Sequence, residues 1–160
     1  LDFEYVSLDE LYKNSDIISL HCPLTSDTKY IINSNNISKM KDGVMIINTG
    51  RGKLINTIDL IEGLKSKKIG AAGLDVYEEE ADYFFEDHST EILDDDVLAR
   101  LLTFNNVIVT SHQAFFTKEA LSNIAETTLK SVSELESAKK LSYEIAYVCE
   151  NGNCSPKDIK

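Results

Sequence analysis

The 160-residue sequence predicts an α/β fold organised on a parallel sheet, and two observations carry that expectation. Four short apolar runs, Ile17-Ile18-Ser19-Leu20, Val44-Met45-Ile46-Ile47, Ala71-Ala72-Gly73-Leu74-Asp75-Val76 and Val107-Ile108-Val109-Thr110, are rich in β-branched residues and lack regular alternation. Runs of this kind are expected of parallel strands buried on both faces. Segments of helical period lie between them, and a strand–helix alternation implies right-handed βαβ units.

The elements follow in order. Residues 7–14 open with Ser7-Leu8-Asp9-Glu10, a capping-box pattern that predicts a helix start. Residues 35–40 read as a short helix stopped by Asp42-Gly43. Residues 57–67 place Ile58, Leu60, Ile61 and Leu64 on one stripe, with Asn56 as cap and Lys65, Lys67 and Lys68 at the end where cations suit the helix dipole. Asp94 to Asp96 supply acidic residues at the start of a helix that continues through Val97 and Leu102. Thr117 is positioned to cap a long helix to about Leu135, with Ala120, Leu121, Ile124, Ala125, Leu129 and Val132 as its apolar positions. Beyond Ser137 the pattern weakens, and Asn151-Gly152-Asn153 with Pro156 reads as a frayed tail.

Lys plus Arg number 16 against 27 Asp plus Glu, a formal net charge of −11. That balance argues against nucleic acid or an anionic membrane as partner, because both would be repelled. A small anionic substrate stays open, since one Arg in a closed site outweighs distant charges. No apolar stretch approaches the ~20 residues needed to span a bilayer. The first residues lack a signal-peptide pattern, so a reducing cytoplasm is expected. Cys22, Cys149 and Cys154 are too few and too sparse for a disulfide framework. Cys22 reads as a small core residue, and Cys149 and Cys154 lack the further ligands a metal site requires, so no metal is expected.

Three phrases carry the chemistry: Asn48-Thr49-Gly50-Arg51-Gly52, Gly73-Leu74-Asp75-Val76-Tyr77-Glu78-Glu79-Glu80 and Ser111-His112-Gln113-Ala114-Phe115-Phe116-Thr117. Each follows or includes a β-branched run and so falls at the carboxyl end of a strand, the edge where open α/β sheets collect ligands. An Arg, a Glu and a His thereby meet at one cleft. Arg presents a fixed fork of donors that matches a carboxylate. A carboxylate beside an imidazole favours its protonated form and makes it a usable proton donor near neutrality. The trio suits a reaction on a small acid that also bears a carbonyl. Spacing does not choose among Glu78, Glu79 and Glu80, since a charge run is ordinarily a solvated face.

With His21-Cys22-Pro23-Leu24-Thr25, these phrases resemble the D-isomer-specific 2-hydroxyacid dehydrogenases, most closely the fermentative D-lactate dehydrogenase branch, from about Tyr5 to about Leu135. The resemblance implies that Arg51 binds the substrate carboxylate and helps to polarise the keto group, while His112 gives the proton. It selects Glu80, five residues after Asp75, as the partner of His112. It places Thr49, Gly50 and Arg51 on the nicotinamide side of the cleft, with Asp75 near the carboxamide. It has His21, Cys22 and Pro23 lining the cofactor site, Thr25 and Thr28 near the pyrophosphate or adenosine, and Phe115 as a wall of the substrate pocket. A formate-type member would carry Gln at Glu80. A glycerate-type member would have a shorter, Pro-rich link to the His, whereas residues 81–106 contain no Pro and include Tyr83-Phe84-Phe85-Glu86-Asp87. The implied reaction is reduction of pyruvate to D-lactate by NADH. The rival readings are a member for a bulkier 2-oxo acid, a non-catalytic NAD-binding regulatory protein of this fold, and a truncated product without activity.

No Gly-x-Gly-x-x-Gly occurs, and no first βα unit is present to hold one. The expected fold is therefore the parallel-sheet part of a Rossmann-like NAD-binding domain, lacking the first βαβ half and the substrate domain. Residues 1–116 are expected to be the carboxyl-terminal part of the NAD-binding domain, residues 117–137 a long helix leading back towards the substrate domain, and residues 138–160 a tail. In the doubly wound order 3-2-1-4-5-6 the run at residues 17–20 is the fourth strand. Its first-strand neighbour is absent here, so the isolated chain is expected to expose that edge, self-associate and lack turnover. The intact enzyme is expected to be a homo-oligomer acting on a small 2-oxo or 2-hydroxy acid.

Overall fold

The computed structural model describes residues 4–80, 83–84, 90, 94–137, 140–143, 147–150 and 153–156. Two compact units divide the chain, residues 1–114 and residues 115–160. Most of the loop read as lactate-type lies outside the described residues.

The first unit alternates helix and strand: α1 (Leu8–Asn14), β1 (Ile17–Leu20), α2 (Ser34–Lys39), β2 (Val44–Asn48), a 3-10 turn (Gly52–Leu54), α3 (Thr57–Lys65), β3 (Ile69–Leu74), α4 (Asp96–Leu102) and β4 (Val107–Val109). The strands form one parallel sheet in the order β1-β2-β3-β4. Local sequence explains most boundaries. Ser7 and Glu10 close a reciprocal capping box on α1, Asn56 caps α3 by accepting the Asp59 N–H, and Asp95 caps α4 by accepting from Val97 and Leu98. The third strand starts two residues earlier than its apolar composition predicts, which leaves Asp75 and Val76 just beyond its end.

The strands were expected to be buried on both faces, and here the structure differs. Burial alternates, with Ile18, Leu20, Val44, Ile46, Ile69, Ala72 and Leu74 inward, while Ile17 and Ile108 stay 61% and 67% exposed. The reason is that α1, α2, α3 and α4 contact one another in sequence as a single layer. Tyr12, Ile37, Met40, Leu60, Leu64 and Leu101 from that layer join the inward strand residues in the core. Each large aliphatic side chain so buried contributes about 1.5–3 kcal/mol. Both β1 and β4 are edges of this sheet, so β1 has no described strand on its outer side.

In the second unit Thr117 caps α5 (Lys118–Glu136) by accepting the Ala120 N–H. The remainder was expected to be a frayed tail. It contains instead an antiparallel pair, β5 (Tyr147–Glu150) and β6 (Asn153–Pro156), with Cys149 opposite Cys154 in the register. As sequence, Asn-Gly between two short β-forming runs is itself a hairpin signal.

Candidate functional site

The carboxyl ends of β1, β2, β3 and β4 hold every singled-out residue of the first unit. At β2, the chain turns on Asn48, a side chain only 1% exposed. Its Oδ1 accepts the Gly50 N–H at 3.0 Å and its Nδ2 donates to the Arg51 carbonyl at 3.0 Å, so one buried amide shapes the whole Arg51 turn. Thr49 and Arg51 are exposed, and the Arg51 Nη1 donates to the Gly50 carbonyl at 2.8 Å. Gly52 is required sterically: a Cβ there would lie 2.0 Å from the Tyr77 carbonyl oxygen. Asn48 and Gly52 were not chosen from sequence as site residues, although an Asn at a strand end can bond its own backbone two residues on, here at Gly50, and so close a turn.

Beyond β3 the three consecutive glutamates part company. Glu80 Oε1 lies 3.2 Å from His112 Nδ1 and Glu80 Oε2 accepts the Tyr77 N–H at 3.1 Å. Glu79 pairs with Lys53 at 3.4 Å, and Glu78 accepts the Thr57 N–H at 2.7 Å. The Tyr77 hydroxyl donates to Asp95 at 2.7 Å; burial first, and then that carboxylate, push its phenol upward from the ordinary range. Tyr77 thus ties the glutamate segment to the cap of α4.

His112 stands in a strained turn. Ser111 and His112 have φ of 51° and 57°, the left-handed region that non-glycine residues enter at a cost of about 1–3 kcal/mol each. Asp75 holds this turn. Its carbonyl accepts the His112 N–H, and its Oδ1 accepts from the Gln113 and Ala114 N–H groups at 2.8 and 2.9 Å and from the Thr110 hydroxyl. Burial works against the Asp75 carboxylate, but the bonds from Thr110, Ala114 and Gln113, with the neighbouring His112, outweigh it and hold its pKa below the usual range. Asp75 was singled out from sequence for a cofactor contact; the structure ties it to the His112 turn.

At the ends of β1 and β2, His21, Cys22, Pro23, Leu24, Gly50 and Arg51 line an open cavity of about 670 Å³. His21 Nε2 lies 2.8 Å from the Ser19 hydroxyl, and the Thr28 hydroxyl donates to the Pro23 carbonyl at 2.6 Å. Thr25 and Thr28 bond each other across the same loop. Phe115 belongs to the second unit, where its half-exposed ring meets Phe116 edge-on at 6.2 Å.

An α/β domain thus carries an Arg turn, a Glu–His pair and an open cavity on one edge of its parallel sheet. Residues 1–114 match the family model for the D-isomer specific 2-hydroxyacid dehydrogenase NAD binding domain. The chain belongs to that family, and NAD is the cofactor of its domain. D-lactate dehydrogenase of Escherichia coli is 50% identical over 145 residues, covering 91% of this chain and 44% of that protein. An aromatic 2-oxoacid reductase of Clostridium sporogenes is 54% identical over 133 residues, 83% of this chain and 40% of that protein. The structure of D-lactate dehydrogenase with NAD+ from Lactobacillus jensenii superimposes with a TM-score of 0.79 at 35% identity, over 89% of this chain and 43% of that one. The chain therefore spans less than half the length of the relatives it matches.

Proposed function

We propose that the chain supplies the catalytic and cofactor-binding edge of an NAD-linked D-lactate dehydrogenase that reduces pyruvate to D-lactate. The observation that carries this reading is the 3.2 Å approach of Glu80 to His112 Nδ1, on the sheet edge that also bears the Arg51 turn. Reduced NAD, when bound, supplies the hydride for the keto carbon. Arg51 binds the carboxylate and polarises the keto group from its exposed position. His112, with Nδ1 turned to Glu80, offers its other ring nitrogen to the keto oxygen as proton donor. Glu80 keeps the imidazole oriented through Nδ1, and is itself held by the Tyr77 N–H.

The residues present fit a nicotinamide. The 670 Å³ cavity has an apolar wall of Pro23 and Leu24 and approachable backbone at Gly50, with the Arg51 side chain at its rim. His21, Cys22 and Thr28 are the further cofactor contacts in this reading, with Thr49 and Asp75 near the nicotinamide and Phe115 beside the substrate. Residues 1–116 are the carboxyl-terminal part of the NAD-binding domain, residues 117–137 the connecting helix, and residues 138–160 a tail that holds the β5–β6 hairpin. No helix among the described residues is long and apolar enough to cross a membrane, and a cytoplasmic homo-oligomer is proposed.

A bulkier 2-oxo acid is the second reading, and the 54% identity to an aromatic 2-oxoacid reductase favours it specifically. Steady-state kinetics of the full-length protein with pyruvate and with phenylpyruvate, followed by NADH absorbance, separate the two. A higher kcat/KM for pyruvate supports the lactate reading, and a preference for phenylpyruvate replaces it with the second. No NADH oxidation with either acid would leave an NAD-binding protein without this activity.

A further inference from the structure

The Arg51 turn and the glutamate segment are distant in sequence yet held together, and Glu78 stands at the join. Its Oε2 accepts the backbone N–H of Thr57, the first residue of α3, at 2.7 Å, and its carboxylate pushes the neighbouring Tyr30 phenol upward from the ordinary range. The Tyr30 N–H in turn donates to the Lys53 carbonyl at 2.9 Å, so the segment next to Arg51 is tied from two sides. There is no slack between them. Gly52 lies against the Tyr77 carbonyl so closely that no Cβ fits, and Lys53 pairs with Glu79 at 3.4 Å. Three chain segments thus converge on one carboxylate, with Arg51 on one side and Glu80 two residues away on the other.

We propose that Glu78 is a positioning residue that sets the separation between the Arg51 turn and the Glu80–His112 pair. A 2-oxo acid gripped at its carboxylate then presents its keto oxygen to the imidazole. The inference rests on the roles proposed above for Arg51, Glu80 and His112. Glu78 acts through the Thr57 N–H and touches no substrate. An acidic residue at the start of a helix also stabilises that helix, so the test must separate placement from simple stability.

The experiment compares Glu78→Ala, Glu78→Gln, Thr57→Pro and the Glu78→Ala/Thr57→Pro double variant in the full-length protein, with Arg51→Gln as reference. The substrate is whichever of pyruvate and phenylpyruvate the parent reduces faster. Proline is well accepted at the first helical position, and the extended Asn56 (φ −77°, ψ 111°) suits a residue before proline. Thr57→Pro therefore removes the N–H that Glu78 accepts while leaving α3 in place. Glu78→Ala and Thr57→Pro are each expected to lower kcat/KM for the oxo acid by about ten- to a hundredfold, with the KM for NADH unchanged. The double variant should be no worse than the worse single variant. Glu78→Gln, which keeps an acceptor oxygen, should recover most of the loss. Multiplying losses in the double variant, equal rises in both KM values, or parental kinetics in both single variants would overturn the proposal. Should Glu78→Ala fail to fold, Thr57→Pro and Glu78→Gln decide by the same criteria. Parental kinetics in Arg51→Gln would instead remove the site reading itself, and the positioning role with it.

Discussion

The two halves of one sheet edge are built differently. Beyond β3 and β4, Asp75, Tyr77, Glu80 and His112 are bonded to one another or to the backbone, and Asp75 and Tyr77 are buried. Beyond β1 and β2, Thr49, Arg51, His21 and Pro23 are exposed around an open cavity, and their contacts run mainly within their own loops. The first half fixes the orientation of the His112 imidazole through interlocking bonds, as its proposed role of proton donor requires. The second leaves volume for a ligand to enter. The contrast teaches that interlocking bonds are concentrated at the proposed proton donor, and open volume at the proposed cofactor contacts.

The largest expected effect falls on the rigid half. His112→Gln should lower turnover by roughly 10²–10⁴-fold, the usual contribution of a general acid, while NADH binding measured by fluorescence titration persists. Arg51→Gln should raise the KM for the oxo acid and lower kcat together, with NADH affinity little changed; parental kinetics would remove Arg51 from the site. Glu80→Gln should lower kcat, because the carboxylate that orients the imidazole through Nδ1 is gone, while Glu79→Gln should keep parental turnover. A loss of turnover in the Glu79 variant alone would reassign the pair.

Stability effects come next. Gly52→Ala forces a Cβ into the Tyr77 carbonyl and should cost about 1–3 kcal/mol or more, read as a fall in the midpoint of thermal unfolding. Asp75→Asn removes a carboxylate whose native pKa is depressed, so the sign is set. The parent's advantage should be complete above about pH 4, the range of an unfolded Asp, and should fade as pH falls through the lower native value. Thermal melts of both proteins from neutral to acid pH check this, and a gap that stays constant through that range would show that the Asp75 charge is not the cause. The smallest effect belongs to the open half. Thr28→Ala removes a hydroxyl bond to Pro23 worth about 0.5–1.5 kcal/mol, and should barely alter the melt while changing NADH affinity.

Local sequence was sufficient for the elements whose signals lie within a few residues. The capping box at Ser7 and Glu10, the Asn56 cap and the Asp95 cap are contacts across three residues or fewer, so their pattern is present before any tertiary contact forms. The β-branched runs likewise announced four strands, and their helical spacers announced parallel pairing. Periodicity could not show that helices cover only one face, because an apolar strand reads the same whether or not its second face meets a partner. Nor could it sort Glu78, Glu79 and Glu80, which share one chemistry and adjacent positions. The family resemblance selects Glu80, and the tertiary structure supplies the physical reason, because the irregular segment after β3 turns each carboxylate to a different neighbour: Thr57, Lys53 and His112. The strained Ser111-His112 turn was invisible for the same reason, since a left-handed φ in non-glycine residues persists only when distant groups such as the Asp75 carboxylate hold it.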